Sequence, residues 1–267
     1  MKQKAPLLDT LLGLVAVAGL IALYAPLVAV AALSFFQITR VRGVMGFAPF
    51  SLEPYAALIA NGEILAALAT SLIVAMVASL ASLVLALMFA FYFVSARRRF
   101  GLMMQMMVFL PFLLPPIITG LSLLIAFREI DFARGLATII VGHIVFIVPV
   151  VYRTVLVRLQ LLGGSLTEAS LDLGASRVQT LVHVILPQMR PALISGALLA
   201  FAISFDETLI TLFVAGSETT LPIRLWAMMR VGFVPEINAL ATLILLVTAL
   251  ITLAIGLLQR GQAERAS

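Results

Sequence analysis

Cysteine is absent from these 267 residues, which removes disulfides, cysteine-ligated metals and thiol nucleophiles at once. Lysine is nearly absent, with Lys2 and Lys4 the only two. A phosphate-binding loop ending Gly-Lys-Ser/Thr therefore cannot be built, and the chain is not itself an ATPase. No His-Glu-x-x-His zinc motif and no Gly-x-Ser-x-Gly elbow occur, so the usual marks of an intramembrane protease or lipid-processing enzyme are missing. The two histidines, His143 and His183, lie far apart with no carboxylate at ligand spacing, and each reads as a hydrogen-bonding packing residue. No repeat of 20–50 residues is visible, which excludes solenoid arrays. Nor do the two halves show an inverted similarity of the kind common in secondary transporters.

Charge is also scarce. Charged residues make up 11% of the chain, against about 25% in soluble domains. What fills the space is apolar: 63% of residues are hydrophobic and the mean hydropathy is +1.19. A soluble domain of this length cannot bury so many apolar side chains, so the solvent is lipid. Six runs are long enough to cross a bilayer as helices: Leu11–Phe35, Ala66–Val94, Met103–Phe127, Leu136–Val157, Ala192–Ala215 and Ile237–Leu258. They are continuous rather than alternating, which favours helices over a barrel. The predicted fold is thus an all-α membrane protein with six transmembrane helices in a single domain, 1–267. The first run is too long for a signal-peptide core, and five more follow, so it reads as an uncleaved anchor.

Positive residues set the orientation. With the N-terminus inside, the inner set is Lys2, Lys4, Arg97, Arg98, Arg99, Arg153, Arg158, Arg177, Arg190, Arg260 and Arg265. Six arginines fall outside: Arg40, Arg42, Arg128, Arg134, Arg224 and Arg230. The excess predicts both termini in the cytoplasm. It also accounts for the net charge of +5 without nucleic acid, because the basic residues anchor helix ends and meet lipid headgroups.

Three interruptions stand out. In the third run Pro111, Pro115 and Pro116 predict a kink. Between the fourth and fifth runs, about 159–190, the loop exceeds what a connection needs. Gly163-Gly164 breaks the preceding span, Ser165 or Thr167 can cap a short helix, and Gly174 ends it. A second short helix near Ser176–Leu186 is expected to stop at Pro187, with Pro191 opening the fifth span. Glu168, Asp172 and Arg177 are expected to face a partner, while Leu171, Leu173, Leu181 and Val182 pack on the spans. Finally, Asp206-Glu207 lies within the fifth run, where a bare carboxylate costs several kcal/mol and must face a bundle interior or a wet cavity. One acid facing a substrate while the other pairs or caps is one reading; a lock between helices is the other.

Glu168-Ala169-Ser170-Leu171-Asp172-Leu173-Gly174, continuing to Val184-Ile185-Leu186-Pro187, resembles the EAA loop of permease subunits in ATP-binding-cassette importers. Ser170 stands where a second alanine is usual, and Val184 where isoleucine is usual. Ser204-Phe205-Asp206-Glu207, Thr220-Leu221-Pro222-Ile223, Arg230 and Pro235–Thr242 are similar to the second permease of spermidine/putrescine-type importers. Leu114-Pro115-Pro116 replaces an acid-containing pattern of polyamine carriers, which leaves opines, phosphonates or iron as other cargoes. The resemblance implies a type I importer permease with a cytoplasmic coupling helix–turn–helix. Glu168, Ala169, Ser170, Asp172, Gly174, Arg177, Leu186 and Pro187 would meet the ATPase; Ser204, Asp206 and Glu207 would line the path. The implied partners are two ATPase subunits, a homologous second permease and an extracytoplasmic binding protein, in a bacterial inner membrane. The chain would hold no cofactor, ATP being bound by the partner subunits.

Overall fold

The computed structural model describes residues 6–41, 44–95, 98–231 and 236–250. Lys2, Lys4, Arg42, Arg97, Pro235, Arg260, Arg265 and the end of the sixth expected span lie outside them. Two compact units form, one from Met1–Ile64 with Ala227–Ser267, the other from Leu65–Trp226.

The first unit begins with α1, Pro6–Leu33. Its apolar side chains from Leu11 to Val28 are largely exposed, as expected of a helix solvated by lipid or by another subunit. Where the sequence suggested a mixed segment after this span, the chain forms an antiparallel hairpin, β1 (Phe36–Val41) with β2 (Val44–Phe50). This is an addition to the all-α expectation. Helix α2, Glu53–Ala60, follows with Pro54 in its first turn, where the missing N–H costs nothing. The Ser51 hydroxyl accepts from the Glu53 N–H at 3.1 Å. The rings of Phe35 and Phe50 stack at 5.3 Å, and Ser34 Oγ meets Tyr55 Oη at 2.7 Å. The shorter apolar helix Glu236–Leu250 covers the described part of the sixth expected span.

The second unit carries most of the spanning helices. α3 runs Gly62–Ser95, α4 Arg98–Leu113, α5 Pro116–Glu129 and α6 Leu136–Leu162. Among the described residues four helices are long and apolar enough to cross a membrane, or five if α4 and α5 are one bent span. The bend between α4 and α5 is 104°, far sharper than the kink expected of the prolines. Pro115 is extended and so cannot continue α4, while Pro116 starts α5. Thr119 Oγ1 donates to the Pro111 carbonyl at 3.2 Å, tying the two limbs together.

Apolar burial drives little in lipid, so close approach has to supply the contact. Ala78, Ala86 and Ala90 of α3 are fully buried, and α6 contributes Ile147, Val151, Tyr152 and Val155 to the same core. Glycine allows the closest contacts. A Cβ on Gly142 of α6 would come within 2.8 Å of Ile210 Cγ2, and one on Gly120 of α5 within 3.0 Å of the Ile210 Cα. Gly142→Val is therefore expected to destabilise the second unit by about 1–3 kcal/mol through overpacking. Thermal unfolding in detergent would show this as a lower midpoint, with partial recovery on adding Ile210→Ala.

Candidate functional site

Two places in the second unit break the apolar pattern, and they lie at opposite ends of α6. The first follows its C-terminus. After Gly163-Gly164 comes α7, Ser165–Asp172, and then a tight turn. Neither Ser165 nor Thr167 caps α7, because Gly164 occupies the N-cap position. The helix ends as expected at Gly174, whose φ of +84° is left-handed backbone that other side chains resist. There the Ala175 N–H reaches the Ser170 carbonyl at 3.2 Å and the Gly174 N–H the Leu171 carbonyl at 2.9 Å, the paired bonds that close a helix C-terminus.

The second arm starts with Ser176, whose hydroxyl accepts from the Gln179 N–H at 3.3 Å while Gln179 Oε1 accepts from the Ser176 N–H at 2.8 Å. α8, Arg177–Gln179, passes into a π-helical turn, Thr180–Ile185, and then into α9, Leu186–Asp206. The expected stop at Pro187 is thus replaced by one continuous 30-residue helix, Arg177–Asp206. A proline removes one N–H and clashes with the carbonyl four residues before it; the wider π turn just ahead of Pro187 accommodates both effects. Ser170 Oγ meets Thr180 Oγ1 at 3.0 Å, joining the two arms. Arg158 of α6 donates twice to the Gln188 carbonyl, at 3.0 and 3.3 Å, and fixes the arms to the span.

Glu168, Ala169, Asp172, Gly174 and Arg177 are all exposed; Ser170, Leu186 and Pro187 are half-buried. The packing expectation for the leucines is corrected. Leu173 is 89% exposed, and Leu171 and Val182 are exposed too, leaving only Leu181 of the four half-buried. α7 has two turns and buries no residue, so it cannot hide an apolar stripe against the spans. With Val178 also exposed, the projecting surface mixes apolar and charged groups. Beside it, a cavity of about 700 Å³ opens between Phe91, Phe93, Leu102, Leu159, Glu168 and Ile185.

The second place is a break in the fifth span that the continuous apolar run conceals. α9 ends at Asp206, Glu207 is extended, and α10 begins at Leu209 and runs to Val214. Polar side chains satisfy the backbone groups this frees. Glu207 Oε1 accepts from the Ile210 N–H at 2.9 Å, and Thr208 Oγ1 donates to the Asp206 carbonyl at 3.2 Å. Glu207 is therefore a half-buried cap. Asp206 is exposed, and no ion pair to it is found among the described residues. It shares one face of α9 with Ala202, Leu199 and Ser195, each exposed. At 1.5 Å per residue, Asp206 lies about 20 Å along the helix from Ala192.

Ser204 turns the other way. It is 3% exposed, and its hydroxyl meets His143 Nδ1 at 2.7 Å. The other ring nitrogen, Nε2, meets Thr211 Oγ1 at 2.8 Å. His143 is the packing residue with hydrogen bonds that the sequence suggested. Thr211 was not legible as a partner, since only the break brings it opposite the ring. The signal that could have found the break is Asp-Glu-Thr itself, a cap-forming cluster inside an apolar run.

Fold and geometry define a helical, membrane-type protein with a projecting helical surface after α6 and a break between α9 and α10. The chain belongs to the family of binding-protein-dependent transport system inner membrane components, whose model matches residues 82–267 and so takes in both places. It is 37% identical over 235 residues to the Putrescine transport system permease protein PotI of Escherichia coli (strain K12), covering 85% of this chain and 83% of that one. It is also 37% identical over 143 residues to the Spermidine/putrescine transport system permease protein PotC of Haemophilus influenzae, covering 53% of this chain and 56% of that one. A chain from the crystal structure of a bacterial ABC transporter involved in the import of the acidic polysaccharide alginate superimposes with a TM-score of 0.71 over 97% of this chain and 98% of that one. At 14% identity that likeness shows the fold. The protein is a permease subunit of an ABC importer in the inner membrane, and not an enzyme.

Proposed function

We propose that this permease imports a polyamine or a related small amine, driven by ATP hydrolysis on partner subunits. The observation that carries the cargo class is Asp206: an exposed carboxylate at a helix break, deep in an apolar span and unpaired by any described residue. Such a charge needs compensation in a membrane, and a cationic substrate supplies it in passing. The names of the related permeases, which specify putrescine and spermidine, support the same cargo. In this reading a homologous second permease covers the exposed face of α9, two ATPases dock on the helix–turn–helix, and an extracytoplasmic binding protein delivers the amine. ATP is bound by the ATPases, and this chain needs no cofactor. Closure of the ATPases pushes on 165–187 and is transmitted along the unbroken helix from Arg177 to Asp206.

Reconstitution of the four components in proteoliposomes tests the assignment. Labelled putrescine should accumulate only with ATP and the binding protein. Transport without ATP, or accumulation of an anionic solute in its place, would overturn it.

The same reading puts both termini and the helix–turn–helix in the cytoplasm and Ser51 outside. Because the chain has no native cysteine, Ser51→Cys and Ser267→Cys can be probed one at a time in intact cells with an impermeant thiol reagent. Labelling is expected at position 51 alone. Labelling at position 267 would reverse the topology.

A further inference from the structure

We infer that His143 is a positioning residue for transport: by gripping both sides of the break in the fifth span, it sets the direction in which Asp206 points. The inference rests on reading Asp206 as part of the translocation path.

One imidazole holds the last turn of α9 through Ser204 and the first turn of α10 through Thr211. The ring is 1% exposed, and Ser204 and Thr211 are 3% and 0% exposed. Water therefore does not compete for these bonds, and leaving one unmade is costly. The proton arrangement follows from the neighbours. Thr211 Oγ1 spends its single hydrogen on the Glu207 carbonyl at 3.0 Å, so it accepts from Nε2–H of the ring. Nδ1 is then free to accept from the Ser204 hydroxyl. One neutral tautomer satisfies every group.

The consequence for Asp206 is geometric. Residues two apart on a helix lie about 200° apart around its axis. Holding Ser204 against α6 therefore turns Asp206 to the opposite face of α9, where it is exposed. Between Asp206 and Leu209 no helical ladder transmits that orientation to α10, because Glu207 is extended. The ring bridges the gap instead. α10 is held independently from the same side: Thr138 Oγ1 donates to the Val214 carbonyl at 2.7 Å, and Gly142, adjacent to His143, admits Ile210. α6 thus carries a fixed α10, and the imidazole transfers that fixed point to the rotation of α9. A small rotation of α9, of the kind a push on the helix–turn–helix would cause, must break or re-form the His143–Ser204 bond.

The test measures the orientation directly. In the assembled complex, Asp206→Cys is exposed to a small cationic thiol reagent in the wild-type, His143→Gln and His143→Ala backgrounds. Reaction is expected in the first. In His143→Ala its rate should change by about fivefold, the equivalent of one buried hydrogen bond. His143→Gln, whose amide can both donate and accept, should recover most of the difference. The near-isosteric Ser204→Ala and Thr211→Val should each shift the rate in the same direction, and they serve if His143→Ala does not assemble. Uptake gives a second readout. If His143 acts through Asp206, adding His143→Ala to Asp206→Asn should cause no further loss. Independent, additive losses, or a reactive cysteine indifferent to all of these changes, would overturn the positioning role alone. A cysteine at 206 that reacts in no background would overturn the path reading beneath it.

Discussion

Glu168→Lys is expected to lower ATP-driven uptake by about thirtyfold or more while the permease still inserts and assembles with its partner permease. Reversing one charge across a desolvated contact costs about 2–5 kcal/mol, which sets that magnitude. Glu168 is exposed at the start of α7 with no described partner, so in the docking reading the effect falls on a contact with another subunit. Gly174 provides the matched control. No atom lies within 4 Å of a Cβ built there, so only the backbone angle resists substitution. Asparagine and aspartate both tolerate left-handed backbone. Gly174→Asn should therefore keep most transport, and Gly174→Asp should lose it through the added negative charge. Uptake and ATP hydrolysis measured together in proteoliposomes would decide the point. Normal transport by both Glu168→Lys and Gly174→Asp would remove the docking role from the helix–turn–helix. Leu173 and Val178 are exposed beside it, and in the docking reading they would add an apolar element, so Leu173→Asp belongs in the same series.

Asp206→Asn should leave assembly and ATP hydrolysis in place and lower uptake of a cationic amine about tenfold or more, a loss of ~1.4 kcal/mol or greater. The substitution keeps size and most hydrogen-bonding capacity and removes only the charge. Because the carboxylate makes no ion pair with a described residue, neutralising it breaks no ion pair among those residues. A structural lock would behave differently: the complex would dissociate or fail to form. The neighbouring Glu207→Gln should instead act on the fold, since its carboxylate caps α10 at Ile210. Trading the charged acceptor for a neutral amide oxygen at a helix N-terminus costs about 0.3–1 kcal/mol. The two adjacent acids should therefore separate in experiment, one affecting cargo and the other stability. Unchanged amine uptake by Asp206→Asn would sink the assignment of cargo charge to this position.

Much of this was open to reading in the residues themselves. Lipid solvation followed from the scarcity of charge, and four or five of the spans from run length. Gly174 could be placed as a helix end because few other residues adopt its backbone angle. Hydrophobicity and glycine chemistry act locally, so they survive in one dimension. Tertiary structure decided the rest. Pro187 was read as a stop, yet a π turn before it carries the helix through. The apolar run from Ala192 to Ala215 hid a break, because its cost is covered by Glu207, Thr208 and a histidine more than sixty residues away. Leu173 read as packing until the turn at Gly174 left it exposed. Composition determines which solvent a segment prefers. Where a helix stops, and which way its one carboxylate faces, depend on hydrogen-bond partners that only folding brings within reach.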